Sequence, residues 1–292
     1  MKFLKILGII GLLLFCSCSD DDEYAKTMLW KIEGNGLEQA SYLFGTLHLT
    51  CDATLKKKVE RAIEASEILM LELHPDEIWP PEEDYEYVEV EPSLPDGKTL
   101  HDYLTDEQYR TIRTYLIQLG DVDIDDYQTT HPIYLSLYRV PPELNCPLLD
   151  SFERALTDYA FDSNLEYGGL ETLQFQAELL AERPVELHIK YLLKEARSGK
   201  PASNDWMRLI QIHYKNENLN GIKRIALSDK YTKTWRDNPR ILDARNLNWI
   251  PKIDSLVQKK PAFFGVGAAH LVGDNGLIRL LEAKGYTLTP VF

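Results

Sequence analysis

Two apolar stretches decide the fold, YLFGTLHL at residues 42–49 and FFGVGAAHL at residues 263–271. Each has the pattern of a β-strand that leads into Gly-x-x-His, which ends at His48 in the first stretch and at His270 in the second. Ligand sites of open α/β sheets lie outside the carboxyl ends of the strands. If the two strands are parallel in one sheet, both histidines stand at the same edge. The glycines that allow a tight turn or a close approach are Gly45 and Gly267.

Two carboxylates have a similar position. Glu72 ends the apolar strand that starts at Ile68, and Glu171 follows a short strand predicted at Leu165–Gly168. Two imidazoles and two carboxylates at four strand ends predict a divalent-metal or acid/base site. A single Gly-x-x-His is a weak signal, because histidines after strands often cap helices, but its repetition favours a functional role. The other histidines are predicted to be surface or helix residues: His74, His101, His131, His188 and His213.

The remaining pattern predicts an α/β fold with a mixed central sheet, a large helical insertion and paired Gly-x-x-His motifs at strand ends. Leu29–Ile32 and Tyr42–Gly45 flank a Gly-Asn-Gly turn and predict a hairpin. His74–Gly97 is rich in proline and acidic residues and predicts a loop outside the core. Residues Thr172–Gln258 are almost entirely helical in pattern. Other predicted elements are helices at Leu55–Ala65, Asp106–Leu119, His131–Tyr138, Ser151–Tyr159 and Leu277–Ala283, and strands at Ala262–Val266 and Tyr286–Val291.

Arg245 and Asn246 lie on a helix predicted at Pro239–Gln258. The spacing of Arg245 from the apolar residues places it at the border of their face. There the guanidinium could hold a carboxylate or a substrate carbonyl, and Asn246 could add an amide. The alternative is an arginine that extends its charged end into water, and spacing alone favours this alternative.

The first residues resemble a bacterial export signal. Two lysines precede the apolar run Ile6–Phe15, which is too short to span a membrane. Cys18 resembles the lipidated cysteine of bacterial lipoproteins, although secretion without lipid is an alternative. We therefore expect a signal peptide at 1–17, an acidic tether at 18–27 and a single domain at 28–292. The expected location is the cell envelope, as an outer-membrane lipoprotein that faces the periplasm or the outside.

Composition and cysteine content limit the possible functions. The chain has 292 residues and a net charge of −14, which argues against a nucleic-acid partner. It contains no Gly-x-Ser-x-Gly, His-Glu-x-x-His or phosphate-loop motif. Cys51 and Cys146 could form a disulfide in an oxidising compartment or remain separate thiols, and the sequence leaves both possibilities open.

Several segments together resemble the TraB/GumN family, which is grouped with the Tiki-type proteins, over about residues 28–292. The resemblance implies a mixed α/β domain with a helical insertion and, from the Tiki-type relatives, metal-dependent proteolysis. It implies that His48 and His270 are the leading site residues. It also matches Glu72, Glu171 and the Arg245-Asn246 pair to family positions. The segments are YLFGTLHL, ILMLEL, YGGLETLQFQ, DARNLNWI and FFGVGAAHLVGDNGLIRLLEAKGYTLTPV.

These observations lead to one main hypothesis, a lipid-anchored, metal-dependent hydrolase with a peptide substrate. His48, His270 and a carboxylate from Glu72 or Glu171 would hold zinc, manganese or cobalt. The remaining glutamate would move protons, and Arg245 would stabilise an oxyanion or orient a glutamate. One alternative is a non-catalytic lipoprotein that binds haem, a metal or a peptide. A second is a metal-free hydrolase in which a histidine acts as the base on an ester.

Overall fold

The computed structural model describes residues 23–79, 93–120, 122–135, 146, 149–182, 184–199, 205–228 and 240–292. The predicted signal peptide, residues 1–17, and the predicted lipidation site, Cys18, lie outside the described residues. Within the described part of the chain, no helix combines the length and apolar character needed to cross a bilayer.

A six-stranded mixed sheet forms the centre of the fold, in the order β4-β3-β5-β2-β1-β6. Strands β4, β3, β5 and β2 are parallel to one another, and β1 is antiparallel to both of its neighbours. The predicted α/β class with a mixed sheet is therefore confirmed. The strands are β1 (Leu29–Gly34), β2 (Ser41–Thr46), β3 (Ile68–Leu73), β4 (Glu166–Glu171), β5 (Ala262–Gly267) and β6 (Tyr286–Pro290).

Strand β5 lies between β2 and β3, although it starts at Ala262 and they end at Thr46 and Leu73. All six of its residues are buried, as expected for an apolar parallel strand that is covered on both faces. Phe44 pairs with Gly265 and Leu71 pairs with the same glycine from the other side. The carboxyl ends of β2, β5 and β3 consequently meet at one edge of the sheet.

Helices cover the sheet and form the predicted helical insertion. Part of this insertion has its own apolar core between α3 and α7, which includes Ile112, Ile124 and Leu192. The described helices are α1 (Lys57–Glu64), α2 (Pro75–Ile78), α3 (Asp106–Gly120), α4 (Pro132–Leu135), α5 (Phe152–Asp162), α6 (Leu173–Ala181), α7 (Val185–Ser198), α8 (Asp205–Lys215), α9 (Leu219–Ala226), α10 (Arg245–Val257) and α11 (Leu277–Ala283).

Several element boundaries differ from the predicted ones. Strand β4 starts at Glu166 and includes Glu171 as its last residue, where the pattern had placed that glutamate after the strand. A π-helical turn, Arg240–Ala244, precedes α10 and was predicted as regular helix. Within the predicted loop His74–Gly97, His74 caps the short helix α2, and Leu94 is buried in the second core. The loop prediction missed Leu94 because its composition is dominated by prolines and acidic residues.

Two histidines predicted as surface or helix residues are buried in the helical insertion. His131 precedes α4 and is 2% exposed, and His188 lies in α7 and is 5% exposed. Their rings contact each other edge to face, with centroids 5.3 Å apart. The prediction of a surface or helix residue holds for His188, which lies in α7, and is wrong for His131, because its sequence neighbourhood does not distinguish a buried imidazole from an exposed one.

The described end of the predicted tether packs against the fold. Tyr24 is 4% exposed, and its backbone N–H donates to Asn220 Oδ1 at 3.0 Å. Glu23 forms ion pairs with Lys223 and Arg279. Residues 23–27, which we expected to belong to the tether, thus have the contacts of the folded domain.

A disulfide joins Cys51, just after the first Gly-x-x-His segment, to Cys146, with the two Cα atoms 5.7 Å apart. The bond settles the alternative that the sequence left open, in favour of a bridge. It closes a loop across a sequence separation of 95 residues. A cross-link that closes a loop of this length lowers the conformational entropy of the unfolded chain considerably.

We expect the disulfide to stabilise the protein by about 2–5 kcal/mol. The measurement is urea unfolding of the wild type and of a Cys51→Ser/Cys146→Ser double variant, each with and without reductant. Reductant should lower the free energy of unfolding of the wild type to that of the variant and leave the variant unchanged. Equal stability of all four samples would show that the bridge contributes nothing.

Candidate functional site

The structure brings all four predicted strand-end side chains together at one edge of the sheet. His48 follows β2 by two residues, and His270 lies in a 3₁₀ turn, Ala268–Leu271, directly after β5. Glu72 is the penultimate residue of β3, and Glu171 is the last residue of β4. The two histidines meet because β5, which leads into the motif that ends at His270, pairs with β2, which leads into the motif that ends at His48.

Arg245 is the centre of the buried part of this site. Its guanidinium donates through Nη2 to Glu72 Oε2, and it contacts Glu171 Oε1 through Nε at 2.8 Å and through Nη2 at 2.6 Å. The residue is 6% exposed and its guanidinium lies over the ring of Trp249, 4.7 Å from the centroid. The interpretation that spacing alone favoured, an arginine extended into water, was therefore wrong. Burial lowers the pKa of Arg245, but the carboxylates of Glu72 and Glu171 outweigh it and raise the pKa.

The hydrogen bonds of Asn246 fix the tautomer of His270. The Asn246 amide nitrogen donates to the His270 and Asn275 carbonyls, so its Oδ1 is the acceptor for His270 Nδ1 at 2.7 Å. His270 Nε2 then carries a lone pair and accepts from Arg245 Nη1 at 3.1 Å. Burial lowers the pKa of His270 to about 3, so the ring is neutral at physiological pH.

Glu72 lies between the two histidines and stays ionised. Its Oε1 accepts from the Gly267 N–H at 2.7 Å and lies 3.9 Å from His48 Nε2 and 3.7 Å from His270 Nε2. Burial raises the pKa of this carboxyl, but the positive Arg245 and the neighbouring donors hold it well below its usual range. The carboxylate is thus a fixed negative charge at the centre of the site.

Glu171 is fully occupied by neighbouring donors. In addition to Arg245, it accepts from Trp249 Nε1 at 2.9 Å and from Gln176 Nε2 at 3.2 Å. The sequence suggested it as a metal ligand or proton carrier. With both oxygens bonded, its geometry suits the positioning of Arg245 better.

Glu153, which the sequence did not single out, holds the exposed histidine. Its Oε1 accepts from Thr46 Oγ1 and from His48 Nδ1, the latter at 2.8 Å. The ionised Glu153 raises the pKa of His48 to about 9, although the His48 side chain is 61% exposed. Glu153 follows the N-cap Ser151 in the first turn of α5, where an acidic residue is common in any helix. The local pattern therefore gave no signal for this role.

The donors at this edge of the sheet, two imidazoles and a carboxylate, are of the types that bind divalent metals in proteins. Both histidines have Nδ1 fixed by a neighbouring oxygen and aim Nε2 at the same Glu72 oxygen, as metal-ligating histidines do. A Cβ at Gly267 would lie 2.9 Å from His48 Nε2 and 3.2 Å from Glu72 Oε1, so the glycine keeps this space open. The described residues nevertheless include no group of three His, Cys, Asp or Glu side chains already placed to hold an ion. An ion would have to displace the Arg245 N–H from His270 Nε2 and the proton from His48 Nε2, whose pKa is about 9 in the metal-free protein.

Substitution of Glu153 should change the titration of His48 in the metal-free protein. In Glu153→Gln the negative charge is lost, so we expect the pKa of His48 to fall from about 9 toward the ordinary value of about 6.5. NMR titration of the imidazole protons in chelator-treated protein measures this shift. Glu166→Gln, a change at the exposed start of β4, is the control and should keep the wild-type pKa of His48.

Comparison with known proteins gives one match. The family model described as TraB/PrgY/gumN family matches residues 28–290, a range that includes every strand-end residue of the site and Arg245. No curated protein and no solved structure matches the chain.

Proposed function

Because the chain belongs to the TraB/PrgY/gumN family, we propose that it is a metal-dependent hydrolase that acts on peptides. One observation carries this proposal. Two imidazole Nε2 atoms, from His48 and His270, lie within 4 Å of the same Glu72 oxygen, and a neighbour fixes Nδ1 of each ring. Family membership by itself implies no particular reaction, so the proposal depends on this site.

In this proposal His48, His270 and Glu72 would hold the ion. A divalent cation there would supply a water of lowered pKa and would polarise the scissile carbonyl. Two histidines and one carboxylate accept zinc, manganese or cobalt, so the residues do not select one of them.

The other residues orient these groups. Glu153 holds His48 through Nδ1, and Asn246 keeps the lone pair of His270 on Nε2. Arg245 is fixed by Glu171 and brings a positive charge next to Glu72, where it can stabilise an oxyanion that forms on the substrate. Trp249 packs against the His270 ring and the Arg245 guanidinium on the buried side of the site.

A metal-free hydrolase is the second candidate. The observation that favours it is the hydrogen bond from Arg245 to His270 Nε2, which occupies the lone pair that an ion would need. In that case the neutral form of His48, held at Nδ1 by Glu153, takes a proton from the attacking water at Nε2 and returns it to the leaving group, and Arg245 stabilises the negative charge that develops on the substrate.

Metal analysis and peptidase assays of His48→Ala and His270→Ala test the main proposal. We expect both variants to lose bound metal and to lose activity by roughly 100-fold or more. Substitution of a residue that only contacts a metal ligand already lowers metal affinity or activity by about 10–100-fold. His101→Ala, an exposed histidine outside the site, is the control and should behave as wild type. Activity that resists strong chelators favours the metal-free candidate, and bound metal or haem without turnover favours a binding lipoprotein.

Gly267→Ala tests the same centre without the removal of a polar group. The backbone of Gly267 has φ −50°, which alanine adopts readily, so the added methyl acts mainly by filling space. Gly168→Ala is the matched control, because its Cβ would meet only the flexible Met70 side chain at 3.2 Å. Loss of metal and activity in Gly267→Ala alone supports the site, and full activity in both variants contradicts it.

We also propose that the protein is anchored to the membrane by a lipid on Cys18, after removal of residues 1–17. The support is the sequence pattern of a short apolar run followed by a small residue and cysteine. Labelling of cells with a radioactive fatty acid should mark the wild type and not Cys18→Ser. A labelled Cys18→Ser protein, or an unlabelled wild type, contradicts the anchor.

A further inference from the structure

A cavity of about 560 Å³ lies between strand β2 and helices α1, α5 and α8, next to the segment that carries His48. Its volume is in the range of about 300–1,000 Å³ that is typical of ligand pockets. The buried walls are apolar and come from three parts of the chain: Phe44 in β2, Val59 in α1 and Phe152 in α5. None of these residues takes part in the candidate centre.

The mouth of the cavity is polar, but its charges largely compensate each other. Lys56 forms an ion pair with Glu217 at 3.1 Å, and Asp52 accepts from the Thr54 N–H at 3.0 Å. Lys215 carries the opposite charge to Asp52 on the same rim. With two basic and two acidic side chains at the mouth, the electrostatics favour an uncharged occupant over a charged one.

The cavity and the candidate centre are built by neighbouring residues of the same elements. Phe44 and Thr46 point to the same face of β2, because side chains alternate along a strand, and Thr46 donates to Glu153. Phe152, which lines the cavity, directly precedes Glu153. Thr50, also in the lining, is two residues from His48, so their Cα atoms are at most roughly 8 Å apart.

Helix α8 is hydrogen-bonded to the backbone of the segment that carries His48. The Tyr214 hydroxyl donates to the Gly45 carbonyl at 2.7 Å, and Gln211 Nε2 donates to the Leu49 carbonyl at 2.7 Å. Ile212, on the same helix, lies at the rim and is 43% exposed. The rim therefore presents an aliphatic side chain to solvent beside the segment that holds His48.

From these contacts we infer that the cavity binds an uncharged apolar side chain of the peptide substrate, one or two residues from the scissile bond. The inference rests on the proposed peptidase function. Consecutive residues of an extended peptide advance about 3.3 Å each. If the scissile bond lies beside His48, a substrate side chain one or two residues away from that bond therefore reaches the mouth of the cavity. The volume is large enough for a large aliphatic or aromatic side chain, whereas a charged side chain would lose its hydration against the apolar walls.

The test uses the full chain and two matched tryptophan variants. Ile212→Trp places a large ring at the mouth, and Leu247→Trp places one at an exposed position of α10 that does not line the cavity. The binding probe is N-phenyl-1-naphthylamine, an uncharged aromatic dye that becomes fluorescent in apolar surroundings. We expect Ile212→Trp to weaken its binding at least tenfold and Leu247→Trp to leave it unchanged, with thermal unfolding confirming that both variants fold.

A second measurement concerns selectivity. In peptides that differ at one position near the cleaved bond, we expect the wild type to have a kcat/KM at least tenfold higher for Phe or Leu than for Lys. Ile212→Trp should reduce this preference, and Leu247→Trp should retain it. Equal dye binding by the two variants, or a preference for Lys, overturns the inference.

The two proposals fail in different ways. Dye binding that depends on Ile212, in a protein without peptidase activity, contradicts the proposed function and leaves an apolar ligand site. Peptidase activity that responds to His48→Ala but not to Ile212→Trp, with no displacement of the dye by peptide, contradicts the cavity assignment alone.

Discussion

The buried guanidinium of Arg245 connects the parts of this site. It bonds Glu72 at the end of β3, Glu171 at the end of β4 and His270 after β5, so one side chain of α10 joins three strands. Burial disfavours the charged form of Glu72, and the positive charge of Arg245 is the main contact that holds the pKa of this carboxyl well below its usual range. The orientation of α10 over the sheet edge therefore determines the geometry of the site.

The two Gly-x-x-His motifs look equivalent in the sequence, but their histidines have opposite environments. His48 is 61% exposed and carries a positive charge beside Glu153, whereas His270 is 3% exposed and neutral beside Asn246. Both rings still direct Nε2 toward Glu72. The site thus combines a solvent-facing group, which a substrate can reach, with a buried group whose position the fold determines.

The segment between His48 and Thr54 serves several structural roles at once. It carries one histidine of the centre, lines the apolar cavity through Thr50 and is tied to a distant part of the chain by the Cys51–Cys146 disulfide. Hydrogen bonds from α8 to Gly45 and Leu49 restrain the same region. A loop held at so many points can keep a histidine aligned even though its side chain is exposed.

The sequence by itself determined the α/β class, the placement of His48, Glu72, Glu171 and His270 at strand ends, and the family. These features depend on local apolar runs and on short motifs, which neighbouring residues specify. Only the tertiary structure decided that Arg245 is buried, that Glu153 holds His48, that His131 and His188 lie inside the helical insertion, and that Cys51 pairs with Cys146. Each of these depends on contacts between segments far apart in the chain. The position of β5 between β2 and β3 sets the main contacts of the site, and no local pattern encodes that strand order.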